Sequence, residues 1–114
     1  MARVIGIHRL ELKPGATDEQ AQALAERSAR EFKVPGIKNL IGKGDRGERA
    51  GQYVMITEID SVETRDRYFP DSSGGPSAEW QQLTAAYGPI FEQFAAVFTN
   101  FPDPLFTDYV IVGE

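Results

Sequence analysis

Residues 3–20 read RVIGIHRLELKPGATDEQ and place a strand, a turn and a helix start in direct succession. Residues 4–12 are apolar and β-prone on alternate positions, which predicts the first strand. Pro14 and Gly15 are turn formers and end that strand. Thr17 followed by Gln20 matches a capping box, so a helix is predicted to start just after Thr17.

The first helix is followed by a pair of strands. The helix is expected to end near Val34, because Pro35 disfavours a helical residue before it. Residues 37–44 are predicted as a second strand interrupted by glycine. Residues 45–52 form a charged loop with two glycines, and residues 53–59, YVMITEI, give the clearest strand pattern in the chain.

A short helix is predicted after the third strand. Asp60 and Ser61 are both candidate N-caps for a helix ending at Tyr68, and Glu63 could close a capping box on Asp60. Residues 70–77, PDSSGGPS, are a loop that breaks the second helical region in two.

The C-terminal part supplies an apolar helix and a final strand. Ser77 is predicted to cap a helix that is punctuated by Gly88-Pro89 and ends near Phe98. Residues 106–112 are predicted as the last strand. The order β-α-β-β-α-β is the ferredoxin-like α+β arrangement, with a four-stranded antiparallel sheet covered by helices on one face.

Composition narrows the class of protein. The 114 residues are expected to form a single domain, 1–114. A net charge of −5 and the absence of a basic stripe argue against nucleic acid and membrane partners. With no cysteine and one histidine, the sequence predicts neither a disulfide nor a metal site, and we expect no cofactor. No secretory leader or long apolar run is evident, so a cytoplasmic protein is expected.

The face of the sheet away from the helices is predicted to be apolar. Ile5 and Ile7 on the first strand alternate with further apolar residues, as do Val54 and Ile56 on the third. A monomer would leave these side chains in water, at a cost of about 1.5–3 kcal/mol each. Two sheets packed face to face would bury them, so a homodimer is predicted; the alternative is a monomer that tolerates an apolar surface.

His8 is the single histidine and lies within the first strand. It shares its parity with Gly6 and Leu10, which places it on the helix-covered face. Trp80, Tyr87 and Phe91 of the late helices are expected nearby. An imidazole ordinarily titrates near neutral pH and could act as a general base there. The alternative is a histidine that only satisfies a hydrogen bond in the core, among aromatic residues that only pack.

Three segments carry a resemblance to a known family. They are IHRLELKPGATDEQ at 7–20, VPGIKNL at 34–40 and YVMITEIDSVETRDRYFP at 53–70. In order and spacing they resemble stress-responsive dimeric α+β barrel domains; the last part of the chain agrees in topology. The resemblance implies a homodimeric barrel with a pocket between sheet and helices. Its superfamily includes cofactor-free monooxygenases, polyketide cyclases and haem-degrading enzymes.

The resemblance accounts for only some of the catalytic residues of the related enzymes. In the cyclase branch a histidine at the position of His8 works with a second histidine before the last strand, which this sequence lacks. The quinone-forming monooxygenases surround a phenol with Asn, Trp, Tyr and Arg. Asn39, Trp80, Tyr87 and Arg9 are of the same kinds here, without a position-by-position alignment.

Two functions of different classes are therefore predicted. The first is a cofactor-free monooxygenase or cyclase acting on a hydrophobic aromatic or polyketide-like molecule, with loop 70–77 either a lid or a surface loop without a role. The second is a non-catalytic ligand-binding or interaction module. The predicted site consists of His8 as the catalytic residue and of Trp80, Tyr87, Phe91, Asn39 and Arg9 as binding residues.

Overall fold

The sheet of this protein has four strands and is covered on one face by helices. The computed structural model describes residues 2–70, 75–101 and 105–113. The elements are β1 (Val4–Leu10), α1 (Asp18–Glu31), β2 (Ile37–Lys43), β3 (Tyr53–Ile59), α2 (Val62–Tyr68), α3 (Ala78–Thr84), α4 (Gly88–Val97) and β4 (Thr107–Val110), with a 3-10 turn at Ala85–Tyr87 between α3 and α4. The antiparallel order β2-β3-β1-β4 confirms the predicted ferredoxin-like architecture.

Helix α1 begins where the capping box predicts. The Thr17 hydroxyl accepts a hydrogen bond from the Gln20 backbone N–H at 3.1 Å, and the Gln20 side chain accepts from the Thr17 N–H at 2.9 Å. The helix ends at Glu31, three residues before the predicted end, because Phe32 already has extended backbone. At 14 residues α1 is the longest described helix, below the roughly 20 that span a bilayer, and none of the described helices qualifies as a membrane span.

The later helices begin at serine caps or at a proline. Ser61, rather than Asp60, caps α2 by accepting from the Thr64 N–H at 3.1 Å, so the alternative capping box on Asp60 does not form. Ser77 caps α3 as predicted. Helix α4 starts at Gly88 with Pro89 in its first turn, where the missing N–H is harmless.

Three strands are shorter than their predicted bounds: β2 by one residue, since it ends at Lys43, and β1 and β4 by more. Strand β1 stops at Leu10, and Leu12 instead forms an isolated bridge with Phe98. The chain leaving α4 runs antiparallel beside residues 11–13 there, and the Lys13 N–H donates to the carbonyl of Val97 at 2.8 Å. Strand β4 is likewise limited to Thr107–Val110.

The helix-covered face of the sheet carries the core. Alternate residues of β1 lie on it, and Val4 and Leu10 are 0% and 2% exposed. Leu10 packs in one cluster with Leu24 of α1 and Phe94 of α4. A second cluster forms around Phe32 and the loops that follow α1 and α2.

The opposite face of the sheet is largely apolar. Ile7 lies opposite Ile56, and Ile56 lies opposite Leu40 on the next strand. Leu40 is 38% exposed and Tyr109 is 55% exposed. Charged residues border this face, including an Arg3–Glu58 ion pair. We call this surface the open face; its apolar members are Ile5, Ile7, Leu40, Val54, Ile56 and Tyr109.

A hydrogen bond from Tyr53 fixes the start of α1 to the sheet. The Tyr53 hydroxyl donates to the Asp18 carboxylate at 2.5 Å, and Lys43 lies 3.2 Å from the same carboxylate. Burial, together with the hydrogen bond to Asp18, raises the pKa of Tyr53 to about 12 from 10.0. The hydrogen bond from Tyr53, followed by Lys43, lowers the pKa of Asp18.

This arrangement predicts a stability loss in alkali that depends on Tyr53. An unfolded tyrosine ionises near pH 10, whereas the folded Tyr53 keeps its proton until about pH 12. The folded state therefore binds more protons in that window, and its stability falls as the pH rises. Between pH 10 and 12, we expect the free energy of unfolding of Tyr53→Phe to fall by roughly 1–2 kcal/mol less than that of the wild type, allowing for partial solvent screening. Urea unfolding across that range measures the difference; parallel curves would contradict it.

Candidate functional site

A cavity of about 900 Å³ lies between the sheet and the helices. Aliphatic side chains of the core, Met55, Ile59 and Ile90, form part of its wall. Aromatic side chains that follow α1 and α2, that belong to α3 and α4, or that follow α4 form much of the rest: Phe32, Phe69, Trp80, Phe91, Phe94 and Phe101. An apolar cavity of this size with a few polar groups is typical of a small-molecule site.

The exposed lining residues of the cavity lie on α2 and in the loop that follows it, and also at the start of β4. Deep wall residues such as Ile90 and Phe94 are buried, whereas Asp66, Pro70 and Gly75 are exposed. Pro70 and Gly75 belong to loop 70–77, which the sequence leaves open as either a lid or a surface loop without a role. Residues 71–74 of that loop lie outside the described residues.

His8 lies on the cavity floor, on β1. Its Nδ1 atom is shielded from solvent, and its ring stacks on Phe106 with centroids 5.1 Å apart and planes inclined by 12°. A methyl group placed on Gly6 would lie 3.5 Å from His8 Nε2. The side chain thus enters the cavity, on the face that the strand alternation predicts.

A row of residues crosses all four strands beside His8. Strand register places Asn39 opposite Thr57, Thr57 opposite Gly6, and Gly6 opposite Asp108. The Thr57 hydroxyl donates to the Asn39 side-chain oxygen at 2.7 Å. That bond uses one lone pair of the Asn39 oxygen, so Asn39 can offer a ligand its amide N–H groups and the second lone pair of that oxygen.

An ion pair closes this row at the edge of the cavity. Arg65 of α2 donates from Nη1 to Asp108 Oδ2 at 3.0 Å and from Nε to Asp66 Oδ1 at 2.8 Å. The carboxylates of Asp66 and Asp108 raise the pKa of Arg65 against the opposing effect of burial. Asp108 is thereby held in place at the end of the polar row.

The structure brings together four of the six residues predicted from the sequence. His8, Asn39, Trp80 and Phe91 line the cavity. Trp80 also packs on Phe69, with centroids 4.7 Å apart, so it serves both the wall and the second cluster.

Tyr87 and Arg9 lie elsewhere and are not among the described lining residues of the cavity. The Tyr87 hydroxyl donates to the Lys33 carbonyl at 3.0 Å and accepts from the Lys33 N–H at 3.1 Å. Tyr87 therefore fastens the 3-10 turn to the end of α1. Arg9 has the opposite parity to His8 and borders a smaller hollow, of about 400 Å³, on the open face.

Sequence reasoning missed Arg65, Asp108, Thr57 and Phe106. Phe106 and Asp108 share a parity at the start of the last strand, which is a signal of a common face. Their place beside His8 and Gly6 depends on the pairing of β4 with β1, which alternation alone does not specify. In the sequence, nothing distinguishes Arg65 from an ordinary charged residue on an exposed helix.

Comparison with solved structures supports the fold. A dimeric ferredoxin-like protein of unknown function from Thermobifida fusca YX is similar to this chain, with a TM-score of 0.60, 8% identity, and coverage of 96% of this chain and 92% of that one. A dimeric protein of unknown function and ferredoxin-like fold from Bacteroides fragilis NCTC 9343 gives a TM-score of 0.50, 16% identity, and coverage of 96% of both chains.

These observations define a class of protein rather than an activity. The chain has a ferredoxin-like α+β fold with an aromatic-walled cavity beneath its helices. No protein-family model matches the sequence. No curated protein matches it either.

Proposed function

We propose that this chain is a small homodimeric protein that binds a hydrophobic aromatic molecule between its sheet and its helices. The observation that carries the proposal is the cavity of about 900 Å³, whose wall is mainly aromatic and whose floor holds His8 and Asn39. Small-molecule sites combine an apolar wall with a few polar groups that orient the ligand, and they commonly enclose about 300–1,000 Å³.

The homodimer is supported by the open face. Its apolar centre and charged border have the anatomy of a protein interface. Pairing of two open faces would bury Ile7, Ile56 and Leu40 and would form the dimeric α+β barrel that the family resemblance implies. The two similar structures are themselves described as dimeric.

A catalytic role is the finer part of the proposal. His8 enters an apolar cavity, where an imidazole could remove a proton from a phenol or an acidic carbon and start a cofactor-free oxygenation or a cyclisation. The shielded Nδ1 and the stacking on Phe106 would hold the ring in one orientation. The second candidate is a binding module without turnover, which the dual packing role of Trp80 favours.

Ligand binding can be tested with N-phenyl-1-naphthylamine, a neutral probe that fluoresces in apolar surroundings. Trp80 is the single tryptophan and lines the cavity, so energy transfer from it to the probe reports on binding there. Ser28 is 5% exposed and lines the cavity from α1. We expect Ser28→Phe to weaken the probe's affinity at least about tenfold, because the added ring occupies apolar volume that the probe needs.

The matched control is Ala29→Phe, one residue further along α1 on its exposed side. This variant adds the same ring outside the cavity and should bind the probe as the wild type does. Equal weakening by both variants, or no binding by the wild type, would overturn the proposed site.

A further inference from the structure

The polar row across the sheet ends in a carboxylate that the cavity presents to a ligand. We propose that the Asp108 carboxylate accepts a hydrogen bond from a hydroxyl group of the bound molecule. The site would then select phenols or enols over hydrocarbons and carboxylic acids. This inference rests on the proposed function and names the class of ligand for the same cavity.

The two oxygens of Asp108 have different surroundings. Oδ2 accepts the hydrogen bond from Arg65, at 3.0 Å. Oδ1 lies across β1, only 2.9 Å from where a methyl group on Gly6 would stand, and His8 Nε2 lies 3.5 Å from the same point. Glycine at position 6 therefore permits the carboxylate to lie over the strand on the side of His8.

The chemistry of this carboxylate defines what it recognises. An ionised carboxylate only accepts hydrogen bonds, so its ligand partner must be a donor. Asp108 and Arg65 are each about three-quarters shielded from solvent, with side chains 23% and 24% exposed, which strengthens a hydrogen bond made there. A hydroxyl bound at Oδ1 would bring the ring that carries it next to His8.

The local charges disfavour an anionic ligand. Arg65 is shared between Asp108 and Asp66, so among the described residues at this edge of the cavity one cation faces two carboxylates. A carboxylic acid, ionised at neutral pH, would meet an excess of negative charge. A neutral hydroxyl group carries no charge and would not be repelled in this way.

Four naphthalene derivatives that differ in one group test this selectivity at neutral pH by isothermal titration calorimetry. We expect the wild type to bind 2-naphthol about tenfold more tightly than naphthalene or 2-methoxynaphthalene, and 2-naphthoate most weakly. Asp108→Asn should reduce the preference for 2-naphthol over naphthalene by about tenfold and should improve the binding of 2-naphthoate.

The control variant is Glu79→Gln. Glu79 pairs with Arg67, at 3.1 Å, in a similar Arg–carboxylate contact, and it is not among the described lining residues of the cavity. Loss of the Glu79 charge should leave the order of affinities for the four compounds unchanged.

The outcomes separate this inference from the function on which it rests. Equal affinities for naphthalene and 2-naphthol in the wild type, or an unchanged ratio in Asp108→Asn, would overturn the role of Asp108 alone. Failure of all four compounds to bind the wild type would overturn the proposed function and this inference with it. Should Asp108→Asn fold poorly, equal affinities for naphthalene and 2-naphthol in the wild type would still overturn the inference.

Discussion

Ile56→Glu is expected to convert the protein from a homodimer into a folded monomer. Ile56 is at the centre of the open face, opposite Ile7 on β1 and Leu40 on β2. In a dimer formed through this face, two introduced carboxylates would be desolvated near the interface centre without a partner. We expect the dissociation constant to rise about a thousandfold.

The fold should survive this substitution. Ile56 is only partly buried within one chain, so in the monomer a glutamate there can reach water. The backbone of β3 remains paired on both sides, and β-propensity alone changes stability by only about 1 kcal/mol. Loss of the dimer with an unchanged circular dichroism spectrum would therefore assign the effect to the interface.

Sedimentation equilibrium at micromolar concentration provides the measurement. The wild type should have twice the chain mass of 12.6 kDa, and the variant should have that mass once. Leu83→Glu is the control, since Leu83 is 37% exposed on α3, away from the open face. A monomeric wild type, or a variant that stays dimeric, would contradict the assignment of the open face as the dimer interface.

The sheet and the helix starts were predictable because they depend on local chemistry. Thr17 and Gln20 form the capping box that their spacing indicates. The alternation in β1 correctly assigned His8 to the helix-covered face. Such features need only the period of a strand or the geometry of one helical turn.

The composition of the site depended on contacts that local patterns do not encode. Asp108 reaches the cavity only because β4 pairs with β1 in a particular register. Tyr87 has the helical spacing of a wall residue, yet its hydroxyl is held by the backbone of Lys33. The choice of Ser61 over Asp60 as N-cap similarly depended on where the chain leaves β3.

His8→Ala tests which of the two predicted function classes is right. Should the protein catalyse a proton transfer through His8, removal of the imidazole is expected to lower turnover by about 10²- to 10⁴-fold. The affinity for the ligand should change much less, because the aromatic wall and Asn39 remain. The measurement is oxygen uptake and product mass for a panel of polycyclic phenols and β-diketones, alongside binding of the same compounds.

The control for this experiment is Glu79→Gln, which should retain wild-type turnover. Retained turnover in His8→Ala would exclude His8 as the base, even if the cavity is the site of reaction. Binding of the panel by the wild type without any conversion would instead favour the binding module. In that case the stack of His8 on Phe106 serves to close the cavity floor, and His8→Ala should weaken binding and lower the melting temperature together. The ratio of turnover loss to affinity loss thus distinguishes a proton-transferring imidazole from one that only packs.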